Sequence, residues 1–240
     1  MVLVRIRRAT ALWTFIAVLL MIGASGAYEY VEDFSTLEYC DTVNTKAEWD
    51  TAAGKVGLHD FQPYSIGSYL TSGPANSVLV DGDYLIVAAD NLGGLQIIDI
   101  TDPAHASLKG NCDTPGSAMA VALSGDLAYV ADGLSGLTIV DISDDTNPVV
   151  LSTVATATVA LDVTVSGTDV LVAAGPGGVI AVDASDPLNP QVVGSCATGN
   201  EATSVVIEGN VLYATDKLNG LVVIDITDPT QPSVIASLPA

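Results

Sequence analysis

Residues 95–103 read LQIIDITDP, and the chain returns to that phrase three more times: LTIVDISDD at 137–145, VIAVDASDP at 179–187 and LVVIDITDP at 221–229. The step is 42 residues each time, so Asp99, Asp141, Asp183 and Asp225 stand in register. Gly94, Gly136, Gly178 and Gly220 keep the same beat, as do Asp102, Asp144, Asp186 and Asp228. Gly125, Gly167 and Gly209 also keep step, with Gly82 one residue early. A fixed period of this length marks an array of identical supersecondary units, each needing its neighbours to bury its apolar surface.

Within a unit the pattern is short β segments divided by turn residues. In the second copy, Ala118 to Leu123 ends at Ser124-Gly125-Asp126, and Leu127 to Ala131 ends at Asp132-Gly133. Leu137 to Ile142 and Val149 to Ala155 follow, which makes four strands per unit. Stretches such as GLTIVDI and GVIAVDA are apolar on both faces, as strands are when sheets cover them from both sides. Radially arranged four-stranded sheets meet that demand at about 40 to 45 residues per blade, whereas solenoid coils usually repeat at about half that length. The expectation is an all-β chain, a β-propeller of at least four blades, with units near 73–115, 116–157, 158–199 and 200–240.

These motifs resemble the LVIVD-repeat family, which is named for the third strand of its unit, and VALSGDLAYVADGLSG at 121–136 is similar to it as well. The resemblance covers about 73–240. It implies a β-propeller on a secreted or cell-surface protein of bacteria or archaea and brings no shared catalytic residue or ligand. The third unit departs most, with AAGPGG at 173–178 where the others carry an Asp, so its loop is expected to differ in shape.

The first 27 residues read as an address. Arg5, Arg7 and Arg8 precede the apolar run Ala11 to Ile22, and Ser25-Gly26-Ala27 suits cleavage before Tyr28. The run is too short to span about 30 Å of hydrocarbon, so export is expected and membrane insertion after cleavage is not. Cleavage would remove every Arg and leave four Lys against 28 acids, a net charge of −24. Such a chain lacks the basic patches that nucleic-acid binding requires. So few bases on an exported surface fit saline surroundings, where salt screens self-repulsion.

Residues 28–63 form a β-rich lead-in or a degenerate blade. Just after them, PYSIGSYLT at 63–71 matches PQVVGSCAT at 190–198 in its Pro, Gly, Ser and Thr, so Tyr64 to Leu70 is expected to be an outermost strand. The last unit already has a fourth strand at Val234 to Leu238. Either 28–62 supplies the three inner strands of that extra blade, or they lie beyond Ala240 in a longer chain. The stop of the chain where a new unit would begin favours the second.

Chemistry-bearing residues are few. Nucleophilic catalysis needs a base beside the nucleophile, and the two histidines, His59 and His105, have no Ser or Cys at matching spacing. His105 reads as a solvated turn residue. Gly175-Pro176-Gly177-Gly178 is a tight turn rather than a phosphate cradle, since Pro lacks an N–H. Cys112 and Cys196 lie two periods apart, in the same outer-strand slot of non-adjacent blades, too far apart for a disulfide. With Cys40 they read as small apolar side chains. Asp90, Asp132 and Asp216 end second strands and are the candidate calcium ligands. A ring spreads equivalent residues apart, however, while calcium needs six to eight converging oxygens, so hydrogen bonding to turn N–H groups is the expected use.

The expected function is therefore a non-catalytic interaction or scaffold module without a cofactor, its partner a protein or a glycan at the cell surface. Trp49 is the one Trp left after cleavage, so sugar-stacking platforms are scarce and protein partners lead. A propeller-based hydrolase or lyase, or a glycan-binding module, is the alternative.

Overall fold

The computed structural model describes residues 67–238, together with the backbone of four short strands before them. β1 (Ile22–Gly23) pairs with β2 (Gly26–Ala27), and β3 (Ala47–Asp50) pairs antiparallel with β4 (Lys55–Leu58). The chain divides into two compact units, Met1–Tyr64 and Ser65–Ala240. The expected cleavage site and the positions of Cys40, His59 and Tyr64 to Ile66 lie outside the described residues or show no side chain.

The second unit contains four antiparallel four-stranded sheets, each a meander in sequence order. Blade 1 is β5 (Ala75–Asp81), β6 (Tyr84–Ala89), β7 (Gly94–Asp99) and β8 (Ser107–Cys112). Blade 2 is β9 (Ala120–Ser124), β10 (Leu127–Ala131), β11 (Leu137–Asp141) and β12 (Val149–Val154). Blade 3 is β13 (Asp162–Ser166), β14 (Asp169–Ala173), β15 (Val179–Asp183) and β16 (Gln191–Cys196). Blade 4 is β17 (Ala202–Glu208), β18 (Val211–Asp216), β19 (Gly220–Asp225) and β20 (Ser233–Leu238). The first strands of successive blades neighbour one another, β5 beside β9, β9 beside β13 and β13 beside β17, which sets them on the inside of a radial array. This is a β-propeller arc whose four described blades do not close into a ring.

Local chemistry accounts for the meander. Two-residue links join first to second strands, and Gly82, Gly125, Gly167 and Gly209 lie there at φ 55 to 63°, where an L side chain is strained. The core lies between blades. Tyr129, Leu137 and Ile139 of blade 2 meet Val163, Val170, Val172 and Val182 of blade 3. Leu171, Val179 and Ala181 on the opposite face of blade 3 meet Val205, Leu212, Val222 and Ile224 of blade 4. Every residue of β14 after Asp169 is therefore buried, which explains why the strand is apolar on both faces.

Three expectations change. Residues 67–70 join no ladder, so the strand expected over Tyr64 to Leu70 is absent from its described part. The blade 3 loop has the same shape as that of blade 2: the N–H of Ala174 donates to the carbonyl of Gly178 at 2.8 Å, as Asp132 does to Gly136 at 2.7 Å. The turn closes on its own backbone, so losing the Asp leaves it intact. Finally, Asp90 is out of step with Asp132. The ladder sets Tyr84 opposite Asp99 where Leu127 faces Asp141, which puts Ala89 in the slot of Asp132 and pushes the extra residue into the helical turn α1 (Asp90–Gly93).

Candidate functional site

Because each blade is a meander, its connections alternate between two rims. One rim carries the first-to-second and third-to-fourth turns; the other carries the second-to-third turns and the linkers between blades.

The first is an aspartate rim. Asp99, Asp141, Asp183 and Asp225 end third strands, and each carboxylate accepts the N–H two residues ahead, from Thr101, Ser143, Ser185 and Thr227, all at 2.9 Å. Asp102, Asp144, Asp186 and Asp228 repeat the motif three residues on, accepting from Ala104, Thr146, Leu188 and Thr230 at 2.9 to 3.1 Å. Side-chain hydroxyls add to this, Thr101 and Thr227 donating at 2.6 and 2.7 Å. Hydrogen bonds to the charged form favour it, so Asp99, Asp141, Asp144, Asp183, Asp225 and Asp228 are held below the ordinary carboxylate value. Asp102 is lowered by the ring of exposed His105, 2.7 Å away, and then by the Ala104 N–H. Asp169 goes the other way: burial raises its pKa, and Asp183 directly across the ladder adds to the rise.

A groove of about 210 Å³ opens on this rim between blades 1 and 2, lined in part by Asp81, Tyr84, Asp126 and Asp145. Lys109 sits 5.6 Å over the Tyr84 ring and 3.8 Å from Asp145. The hydrogen bond to Asp145 raises the Tyr84 pKa, and the Asp145 charge raises that of Lys109. Sequence reasoning missed this cluster, although Asp145 stands where the other units carry Pro103, Pro187 and Pro229.

The linker rim uses its carboxylates inward. Asp132 is fully buried and accepts from Thr114 Oγ1 at 2.8 Å, Gly116 N at 2.9 Å and Thr138 Oγ1 at 3.0 Å, tying the incoming linker to its own blade. Asp216 does the same sixteen residues after Asn200, whose N–H it accepts at 2.9 Å. Burial opposes its charge, but this bond and those from Leu218 and Asn219 hold its pKa below the ordinary value. Asp90, out of step, takes the Ser117 hydroxyl of the next linker instead. The three candidate calcium ligands thus sit on separate blades, each engaged by donors, and no group of three His, Cys, Asp or Glu converges among the described residues. Thr158 takes over in blade 3, donating its hydroxyl to the Ala174 carbonyl.

Beyond these carboxylates the linker rim projects apolar tips. Leu134 and Leu218 share one slot and are 88% and 70% exposed, with Pro176 exposed in that slot on blade 3. The Gly before the tip reaches the next blade: the N–H groups of Ala160 and Ala202 donate to the carbonyls of Gly133 and Gly175 at 2.8 and 2.9 Å. Cys112 and Cys196 are free thiols on outer strands; burial pushes Cys112 up to about 11 and raises Cys196, so neither is a thiolate at neutral pH.

Four radial four-stranded blades stitched by such linkers define a repeat β-propeller module. A sequence model of the LVIVD repeat matches residues 72–114, 115–156, 158–198 and 199–238, and the chain belongs to that family. Among solved structures it is similar to two computationally designed proteins, Ika8 and Ika4. For Ika8 the identity is 14% and the TM-score 0.55, over 70% of this chain and 49% of that one. For Ika4 the identity is 12% and the TM-score 0.55, over 68% of this chain and 98% of that one. The chain therefore spans about half the length of Ika8. No curated protein matches it.

Proposed function

We propose that this chain is exported and serves as a non-catalytic interaction module at the cell surface, with a protein partner seated on the linker rim. The observation that carries the reading is the pair of leucines, Leu134 and Leu218, exposed at equivalent tips of hydrogen-bonded turns. An apolar side chain of this size gains about 1.5 to 3 kcal/mol on full burial, so repeated tips of this kind suit a partner's apolar surface. The aspartate rim supports the same division, because its carboxylates already accept hydrogen bonds from their own turns. Export is supported by the basic, apolar and small-residue order of the first 27 residues. Expression from Met1 followed by N-terminal sequencing tests it: a chain beginning at Tyr28 outside the inner membrane is expected, and an uncleaved cytosolic chain contradicts the reading.

A further inference from the structure

The interface between blades 1 and 2 departs from the other two where it meets the aspartate rim. The outer strands of blades 1 to 3 each bulge at one residue, Lys109 on β8, Leu151 on β12 and Val193 on β16. Leu151 packs into the interface of blade 2 with blade 3, and Val193 into that of blade 3 with blade 4. An apolar side chain in this slot plugs the rim end of the interface. Lys109 instead carries its ammonium 5.6 Å over the Tyr84 ring and 3.8 Å from Asp145. The slot has no apolar plug, and the groove of about 210 Å³ opens beside it.

Two further positions in contact with Lys109 break the repeat as well. The ladder sets Tyr84 in the slot that holds Leu127, Asp169 and Val211 in the other blades. Asp145 stands where the other units carry Pro103, Pro187 and Pro229. Closure does not need these three departures, because the other two interfaces form without them. Their shared effect is a cavity with an apolar floor, Ile86 and Ile97 of blade 1 and Ile142 of blade 2, below a polar mouth.

The mouth offers acceptors rather than donors. Lys109 and Tyr84 are both engaged with Asp145. Asp81 and Asp126, which also line the groove, accept no hydrogen bond among the described residues, whereas the carboxylates that end third strands each take an N–H. Free carboxylates above an apolar floor complement a ligand whose charged head takes charge-assisted hydrogen bonds while its stem is buried. We propose that the groove between blades 1 and 2 binds a small organic cation, a primary amine or guanidinium on a short alkyl stem, with the stem on Ile86, Ile97 and Ile142 and the head on Asp81 and Asp126. The site lies on the rim opposite the leucine tips, so its test is independent of the linker-rim reading.

The test is titration of the full chain with pentylamine at low salt, followed through the methyl NMR signals of Ile86, Ile97 and Ile142. Saturable shifts of these signals are expected, and neither pentanoate, with the same stem and the opposite charge, nor methylamine, with the head alone, should produce them. Asp126→Asn should weaken binding about tenfold, as loss of a charge-assisted hydrogen bond does. Glu208→Gln, at an exposed acid on the same rim of blade 4, should leave it unchanged. Lys109→Leu restores the plug and should abolish binding without lowering the melting temperature, whereas general attraction to an acidic rim would strengthen once that positive charge is gone. The proposal is overturned by the absence of saturable shifts, by equal weakening from Glu208→Gln, or by tighter binding to Lys109→Leu. A response to a lysine-containing peptide with none to the free amine overturns it too.

Discussion

The two rims of the propeller use the same residue type to opposite ends. On the aspartate rim, carboxylates such as Asp141 and Asp144 stay in water and shape their own turns. On the linker rim, Asp132 is withdrawn from water and joins one blade to the next through three donors. The repeated acid is therefore a folding device at both rims, and what differs is the surface left over: exposed carboxylates with a lone Leu188 among them on one, the equivalent tips Leu134 and Leu218 on the other. A net charge of −21 is in this sense a property of the turns more than of a ligand.

The largest effect is expected where an aspartate is buried. Asp132→Ala leaves the Thr114 and Thr138 hydroxyls and the Gly116 N–H without their acceptor, at a cost of about 2 to 3 kcal/mol in denaturant unfolding. Asp141→Ala, in an exposed turn, is expected to cost clearly less, and equal losses would erase the distinction between the rims. Acid should act next, on the aspartate rim as a whole. Its depressed carboxylates contribute stability that is present above their unfolded values near 3.9 and lost as pH falls through their folded values. Melting temperature should thus be flat above about pH 5 and drop below about pH 4; a drop already complete at pH 5 would contradict these assignments.

A smaller effect of opposite sign is expected at Asp169, which faces Asp183 across the ladder without a compensating donor between them. Its raised pKa means that ionising it costs stability as pH rises through the carboxylate range. Asp169→Asn should then raise the neutral-pH stability by a few tenths of a kcal/mol, as expected when a like-charge cross-strand pair is relieved. Destabilisation by that change would show that Asp169 has a donor in solution.

How much of this was legible in the sequence depended on whether turn residues bounded the element. β10 runs from Leu127 to Ala131 as the sequence reading had it, because Gly125-Asp126 and Asp132-Gly133 fix both ends. β9 begins at Ala120 rather than Ala118, since the preceding residues are drawn into the linker, where the Met119 N–H donates to the Ala131 carbonyl. The 42-residue beat aligned Asp90 with Asp132, and the ladder does not; Gly82, one residue early, was the sign that an extra residue lies between it and Gly94, and the ladder puts it in α1. Loop shape in blade 3 could not be read from a missing Asp, because the turn closes through the backbone bond from Ala174 to Gly178, as that of blade 2 does from Asp132 to Gly136. The Lys109–Asp145 pair depends on the approach of two blades, which spacing within one repeat does not report.

One measurement tests most directly whether the leucine-tipped linker rim is the binding face. A photo-crosslinking residue is placed at Leu134 in one chain and at exposed Asn147, on the aspartate rim, in another, and each is irradiated on the surface of the cells that produce the protein. Crosslinks to one discrete protein from position 134, weakened by adding Leu218→Ser and absent from position 147, are the predicted result. Crosslinks from position 147 with none from 134 would contradict the claim.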